Sequence, residues 1–278
     1  MRRCGCAIRH TSDNNQGGGT QINIILGLIF VALFVAVSVG GLILVQRLVP
    51  STKRQEHNEV AGFIYAVLGV AYAVLLGLMV VAVWQDRQAA EDAATNEANE
   101  LATVFWIAHA LPEPQARHTQ ELARSYARVV VEEEWPLMKQ GKASPRAWDL
   151  LDELRSSIEA FRPTTDAQLV LYDHELQGVH DLGDARRARL LKANEGLPAI
   201  LWVVLIMGGT IVVGFTYLFG LRSTRVHTLM VGALALTIAL VLFTIGALDY
   251  PFRGDVRVGP GAFQSVLERF ANSRLSDL

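Results

Sequence analysis

Apolar residues in this chain gather into four long runs without a carboxylate, lysine or arginine, and into shorter stripes at helical spacing between the second run and the third. The first run, Ile22 to Val45, has 24 residues. At 1.5 Å per residue that is about 36 Å of helix, enough for a hydrocarbon layer of ~30 Å. Val60 to Val83 is the second run, closed by Trp84, whose amphipathic ring suits a membrane–water boundary. Leu197 to Phe219 is the third, with Pro198 in its first turn, where a missing amide donor costs least. Val226 to Leu248 is the fourth, ended by Asp249 and Pro251. These runs predict four transmembrane helices.

Residues 85–196 change character. Leu101, Val104, Phe105, Ala108 and Leu111 recur at three- and four-residue steps, as do Leu122, Tyr126, Val129, Val130 and Leu137. Trp148, Leu151, Leu154, Ile158 and Phe161 make a third stripe, and Leu169, Tyr172, Leu176 and Val179 a fourth. Breaks fall at Pro112–Pro114, at Pro136, between Gly141 and Pro145, and at Pro163. No stretch alternates with period two, so no sheet is predicted. The fold class is an all-α integral membrane protein with a helical soluble domain between spans two and three. The ends of that domain are expected to continue the second and third membrane helices, since no helix breaker is evident between them. Residues 249–278 form a C-terminal segment on the same side. Residues 1–21, with Gly17 to Gly19 and several amides, cannot bury enough apolar surface to offset ordering and read as a disordered tail.

Cleavage of the first run after Ala36-Val37-Ser38 as a signal peptide is disfavoured, because the apolar stretch continues through Val45. Four spans place both termini and the soluble domain on one side. Near the membrane that side carries Arg2, Arg3, Arg9, Arg87, Arg186, Arg187, Arg189, Lys192, Arg253 and Arg257, against Arg47, Lys53, Arg54, Arg222 and Arg225 on the other. The asymmetry predicts cytoplasmic termini and a cytoplasmic domain.

Composition adds limits. The chain has 278 residues, 51% hydrophobic and 19% charged, with net charge −2, which gives no argument for nucleic-acid binding. The lipid bilayer is the first partner. Its two cysteines, Cys4 and Cys6, both lie in the tail, so no disulfide can hold the body together. With His10 they make a poor metal set, because zinc sites usually need two separated ligand pairs. No cofactor is expected.

The second span has the most informative pattern. Gly62, Ala66, Gly69, Ala73 and Gly77 lie on one narrow helix face. Small residues there either let another helix pack closely, the favoured reading, or leave room in a pore. Thr228, Gly232, Ala235, Ala239 and Gly246 repeat the device in the fourth span. The spans are read as free of Asp, Glu, Lys, Arg and His, which argues against a proton relay. Residues 85–196 carry 20 acidic and 13 basic side chains. Asp86 and Glu91 follow the second span while Arg186 and Arg189 precede the third, making these four the candidate charges at a pore end. Solvated faces and headgroup contact are the commoner reading of such residues. Enzyme signatures fail: His174 and His180 are six apart, on roughly opposite helix faces, and no phosphate loop or nucleophile elbow occurs.

Ordered along the chain are Asn58 with Gly62, Gly69 to Leu76 including Tyr72, Trp84, Glu97-Ala98, Leu111-Pro112, Tyr126 and Glu134-Trp135-Pro136. They continue with Arg186, Arg189-Leu190, Pro198, Trp202, Asp249, Pro251-Phe252, Gly254, Asp255-Val256, Val258, Pro260 and Phe263. In order and spacing this set resembles the bestrophin-like bacterial membrane proteins. The resemblance implies four-span subunits and a helical cytoplasmic domain. It also implies a homo-oligomer, a pentamer in the related bestrophins, passing inorganic ions through a pore lined by the second span. The stretch Asp249–Asp255 is too sparse in carboxylates for the calcium clasp of animal bestrophins. The reading from another class is a non-conducting membrane protein whose soluble helices bind a partner or sense a signal.

Overall fold

The described residues of the computed structural model are 17–49, 58–221, 223–254 and 256–276, and all of their regular structure is helical. The expected tail at 1–16 with Cys4, Cys6 and His10, the loop residues 50–57, Arg222 and Asp255 lie outside them. The chain runs through α1 (Gly17–Leu48), α2 (Asn58–Ala108) and α3 (Gln115–Val129). A widened turn, Val130–Glu134, joins α3 to α4 (Trp135–Met138). Then come α5 (Pro145–Ala160), α6 (Asp166–Asn194), α7 (Ala199–Thr216), α8 (Thr224–Leu248) and α9 (Gly261–Ser276). Helix α1 begins at Gly17, so the last residues of the expected tail are helical.

Helix α2 is one 51-residue rod, about 77 Å long at 1.5 Å per residue. From Leu78 to Ala108 it contains neither glycine nor proline, so the membrane half runs unbroken into the soluble half. The third span behaves differently, and the expected continuity is corrected there. Helix α6 stops at Asn194, and Glu195 to Pro198 are not helical. Proline offers no amide, and its ring excludes the preceding residue from helical geometry. Pro198 takes ψ 139° and caps α7 instead. Past Thr216 the third span tightens into i→i+3 bonds from Tyr217, Leu218 and Phe219. Side chains cap three helix starts: Ser144 accepts from Ala147, Thr165 from Gln168, and Ser223 from Val226.

Two cores result. The membrane core joins Leu42 of α1, Tyr72, Leu76 and Val83 of α2, Leu205 and Val212 of α7, and Ile238, Leu242 and Ile245 of α8. Outside it a belt of large apolar side chains is exposed, including Leu28, Leu33, Phe63, Val67, Ile200 and Leu229. Such a belt is untenable in water and natural in lipid. Four helices are long and apolar enough to cross a membrane. The chain is an all-α integral membrane protein.

The soluble core gathers the stripes read from the sequence. Leu101, Val104, Phe105, Tyr126, Val130, Leu151, Leu154, Ile158 and Val179 are buried together. Leu169 is the exception and is 49% exposed. The C-terminal segment joins this core: Phe263, Val266 and Phe270 of α9 are buried in it, and the Phe270 ring stacks on Phe105 at 3.8 Å. Their helical spacing was visible in the sequence, but nothing there tied them to a domain more than sixty residues upstream.

Candidate functional site

The face of α2 that carries Gly62, Ala66, Gly69, Ala73 and Gly77 packs against nothing within the chain. A Cβ built on Gly62, Gly69 or Gly77 meets no atom within 4 Å, and Ala66 and Ala73 are exposed. The helix docks with the flank next to this face, through Tyr72, Leu76 and Val83. Tyr72 Oη donates to the Leu205 carbonyl at 2.8 Å, and its ring fills the space left by Gly208 and Gly209 of α7. The fourth span's small residues have the opposite fate. Ala235 and Ala239 are buried, a Cβ on Gly232 would touch Val39, and one on Gly246 would touch Trp202. Of two similar stripes, one is consumed by packing inside the chain and the other is left open.

Beyond Gly77 the open face continues toward the soluble domain. At about 100° per residue, Trp84, Arg87 and Glu91 fall within roughly 60° of the small-residue stripe, whereas Asp86 points to the far side. Trp84 is exposed, with the Arg87 guanidinium 5.7 Å from its ring centroid, and Arg87 Nη1 donates to Glu91 at 3.3 Å. Asp86 approaches Lys192 of α6 at 3.9 Å. Of the four candidate pore-end charges, Glu91 is exposed on the open face and Asp86 is exposed off it. Arg186 and Arg189 need correction: both are 0% exposed and offer no charge to solvent or an ion.

Their place is a buried polar knot inside the soluble domain. Arg186 grips Glu134 through both terminal nitrogens, and its Nη1 also donates to Tyr126 Oη at 3.1 Å. Arg189 donates through Nε and Nη2 to Glu97, through Nη2 to Glu134, and through Nη1 to Met138 Sδ. Tyr126 Oη donates to Glu97, and the Ser144 amide donates to Glu134 at 3.0 Å. Two guanidinium groups thus meet two carboxylates, and every one of these side chains is fully enclosed. Burial pushes the Tyr126 hydroxyl well above its ordinary range, helped by the Glu97 charge. Burial opposes the charge on Arg189, but Glu97 and Glu134 outweigh it and hold the guanidinium protonated. Aromatic faces complete the shell, with Trp148 4.5 Å from Arg186 and Trp135 5.0 Å from Arg189.

The turn at Val130–Glu134 explains how a carboxylate enters the core. Pro136 cannot donate to the carbonyl four residues earlier, and its ring presses on that turn. The chain answers with one widened turn, which brings Glu134 and Trp135 inward together. Trp135 Nε1 then donates to the Val258 carbonyl at 3.1 Å, and Phe252 and Phe263 flank its ring. Arg189, Glu134 and Trp135 therefore fasten α6, the α3–α4 junction and the C-terminal segment to α2.

Two further clamps work at the membrane ends. Asp249 Oδ1 accepts from the Leu197 amide at 2.6 Å and Oδ2 from Trp202 Nε1 at 3.1 Å, tying the end of α8 to the start of α7 just beyond Pro198. At the other end Asn58 makes a reciprocal pair with Gly220, donating to its carbonyl and accepting from its amide, each at 3.0 Å. Pro251 and Phe252 are buried, and Gly254 has φ 72°, a conformation glycine enters without steric cost. The reading of the spans as free of histidine is corrected: His227, in the first turn of α8, is buried with Nε2 3.0 Å from the Thr216 carbonyl and Nδ1 3.3 Å from Gln46. Among the described residues no three His, Cys, Asp or Glu side chains gather as a metal site.

A family model described as Bestrophin-like domain matches residues 32–263. Among solved structures, a bacterial bestrophin homologue from Klebsiella pneumoniae carrying one substitution superposes with a TM-score of 0.61 at 15% identity, covering 88% of this chain and 98% of that one. Another variant of it gives 0.59 at 17% identity over 91% and 97%. A crystal structure described only as a membrane protein gives 0.60 at 16% over 88% and 96%. At such identities the likeness is one of fold. No curated protein matches in sequence.

Proposed function

The chain belongs to the bestrophin-like family, and from that premise we propose that it is a subunit of an oligomeric ion channel whose pore is lined by α2. One observation carries the reading: the small-residue face of α2 is open in the single chain, while Tyr72, Leu76 and Val83 on the adjoining flank are packed. A helix that presents Gly62, Ala66, Gly69, Ala73 and Gly77 outward either meets a second copy or borders a passage, and a closed ring of copies allows both. The family resemblance suggests five subunits. An apolar, narrow passage gates by its wetting, and ions are sorted where charge begins. Here that is the Arg87–Glu91 pair below Trp84. The buried knot sets no selectivity. It fixes the lower half of α2 against α6, so that the lower part of the open face keeps its position.

Liposomes containing the purified protein test this. They should pass potassium or chloride faster than empty liposomes. Flux equal to the empty control at several pH values would instead favour the non-conducting, partner-binding protein.

Two expectations accompany the proposal. Gly69→Leu should reduce the yield of detergent-solubilised oligomer severalfold, because a leucine would force two backbones apart and forfeit many small dispersion contacts. Leu75→Ala, which alters packing within one chain, should leave the oligomer yield near wild type. Equal yields would remove the stripe from the interface. The termini and the domain at 85–196 are proposed to face the cytoplasm of a bacterial inner membrane. Reporters fused at Leu278 and after Lys142 should both read cytoplasmic, and a periplasmic signal from either would invert the topology.

A further inference from the structure

A second feature lies away from the α2 face and includes no α2 residue. Near the soluble-domain end of the membrane, α1, α7 and α8 enclose a slot of about 460 Å³. Phe30 and Phe243 form its walls, Gly246 and Trp202 its inner surface, and Tyr250 and Arg253 its rim. Arg253 is the one charged residue of the lining.

That arginine is placed rather than loose, and it is under-used. Its guanidinium lies 4.7 Å from the Tyr250 ring centroid, and Nη2 donates to Asn194 Oδ1 over a long 3.4 Å. Its Nε is buried with no hydrogen-bond partner among the described residues. Two glycines reserve the space for this rim. A Cβ on Gly141, which also has φ 70°, would clash with Arg253 Nη2, and one on Gly196 would stand 2.7 Å from Tyr250 Cζ. The nearby carboxylate of Asp249 is already taken by the Leu197 amide and Trp202 Nε1. Arg257 adds a second cation on the same segment, donating to the Gly254 carbonyl.

An apolar slot in the membrane-spanning part of three helices, with one incompletely bonded guanidinium at its aqueous end, matches one ligand chemistry. We propose that it binds a glycerophospholipid from the leaflet next to the soluble domain. An acyl chain lies between Phe30 and Phe243, and the phosphodiester accepts from Arg253. A free anion would gain nothing from the aromatic walls, and a lipid without phosphate would leave the arginine's donors unanswered. The proposal needs only the membrane placement of these helices and stands whether or not the protein conducts.

Native mass spectrometry of the full-length protein, delipidated in detergent and then given phosphatidylglycerol, tests it. One lipid should be retained per chain. Diacylglycerol with the same acyl chains should be held at least tenfold more weakly, and excess inorganic phosphate should not displace the phospholipid. Arg253→Gln should weaken retention about tenfold, the size expected for one charge-assisted contact. Phe30→Ala, at a half-exposed position that α1 folds without, should also weaken it while leaving the circular dichroism melt unchanged. Retention of phosphatidylglycerol by both variants at the wild-type level overturns the proposal. So does equal binding of diacylglycerol, or displacement by phosphate, which would mark a plain anion site. Exclusion of phosphatidylglycerol from an intact oligomer would also overturn it, since another copy would then cover the slot.

Discussion

Glu134→Leu should destabilise the soluble domain by on the order of 4 kcal/mol, the range found when one partner is removed from a buried ion pair. Glu134 accepts from both terminal nitrogens of Arg186, from Arg189 Nη2 and from the Ser144 amide. Its loss leaves two guanidinium groups facing the single carboxylate of Glu97 in a site that water does not reach. The penalty comes from uncompensated buried charge more than from the bonds lost. A second substitution should therefore relieve it: Glu134→Leu with Arg186→Met should cost less than the two single changes added together. A double-mutant cycle on the thermal or proteolytic unfolding of the solubilised protein measures this coupling, expected to exceed about 1 kcal/mol. Strict additivity would mean that the pair does not act as a unit.

Glu175→Met should remove a pH dependence of stability. Glu175 is fully buried on α6, and neither carboxylate oxygen has a hydrogen-bond partner among the described residues. Burial pushes its pKa up to about 8 from an ordinary 4.5. At pH below about 4.5 the carboxyl is protonated in both folded and unfolded chains, so its effect on stability is constant. As pH rises from there toward 8 the unfolded chain releases the proton while the folded chain retains it, and stability falls. Three pH units of this linkage amount to roughly 4 kcal/mol at about 1.4 kcal/mol each. Wild type should thus melt at a distinctly lower temperature at pH 8 than at pH 5. The methionine variant, which fills similar volume without a charge, should lose most of that difference. Parallel pH profiles for the two proteins would show that Glu175 ionises freely in the folded state.

How much of this was legible beforehand follows from which residue properties act locally. The spans are set by length and apolarity, and the amphipathic stripes by helical period. The domain's first stripe, Leu101 to Leu111, is buried throughout. The break before α7 was legible too, in Gly196 and Pro198, but the missing amide of Pro198 was read as harmless in a first turn. The identity of the open face could not be read. The stripes of α2 and α8 look alike in sequence, and only the positions of α1 and α7, with Val39 against Gly232 and Trp202 against Gly246, decide that the second is closed. Arg186 and Arg189 were misplaced for a similar reason. Arginine next to a membrane usually reaches headgroups, and only the arrival of Glu97 and Glu134 from two other elements makes their burial affordable. The motif residues that carried the family resemblance prove to be clamps in several cases: Asn58 on Gly220, Trp135 on Val258, Asp249 on Leu197 and Trp202. They fix helices relative to one another, and the proposed pore face is what those helices leave uncovered.

Cysteine accessibility on α2 probes the central claim most directly. In a background with Cys4 and Cys6 replaced by serine, Ala73→Cys places one thiol in the middle of the open face, about 100° around the helix from the packed Tyr72. If this face borders a water-filled passage, a charged, membrane-impermeant thiol reagent should label Ala73→Cys in liposomes and cut ion flux several-fold. The same reagent should leave a Val67→Cys control, on the belt of exposed apolar side chains, unlabelled and conducting. Unlabelled Ala73→Cys in a conducting preparation, or full labelling with flux unchanged, would contradict a pore lined by α2.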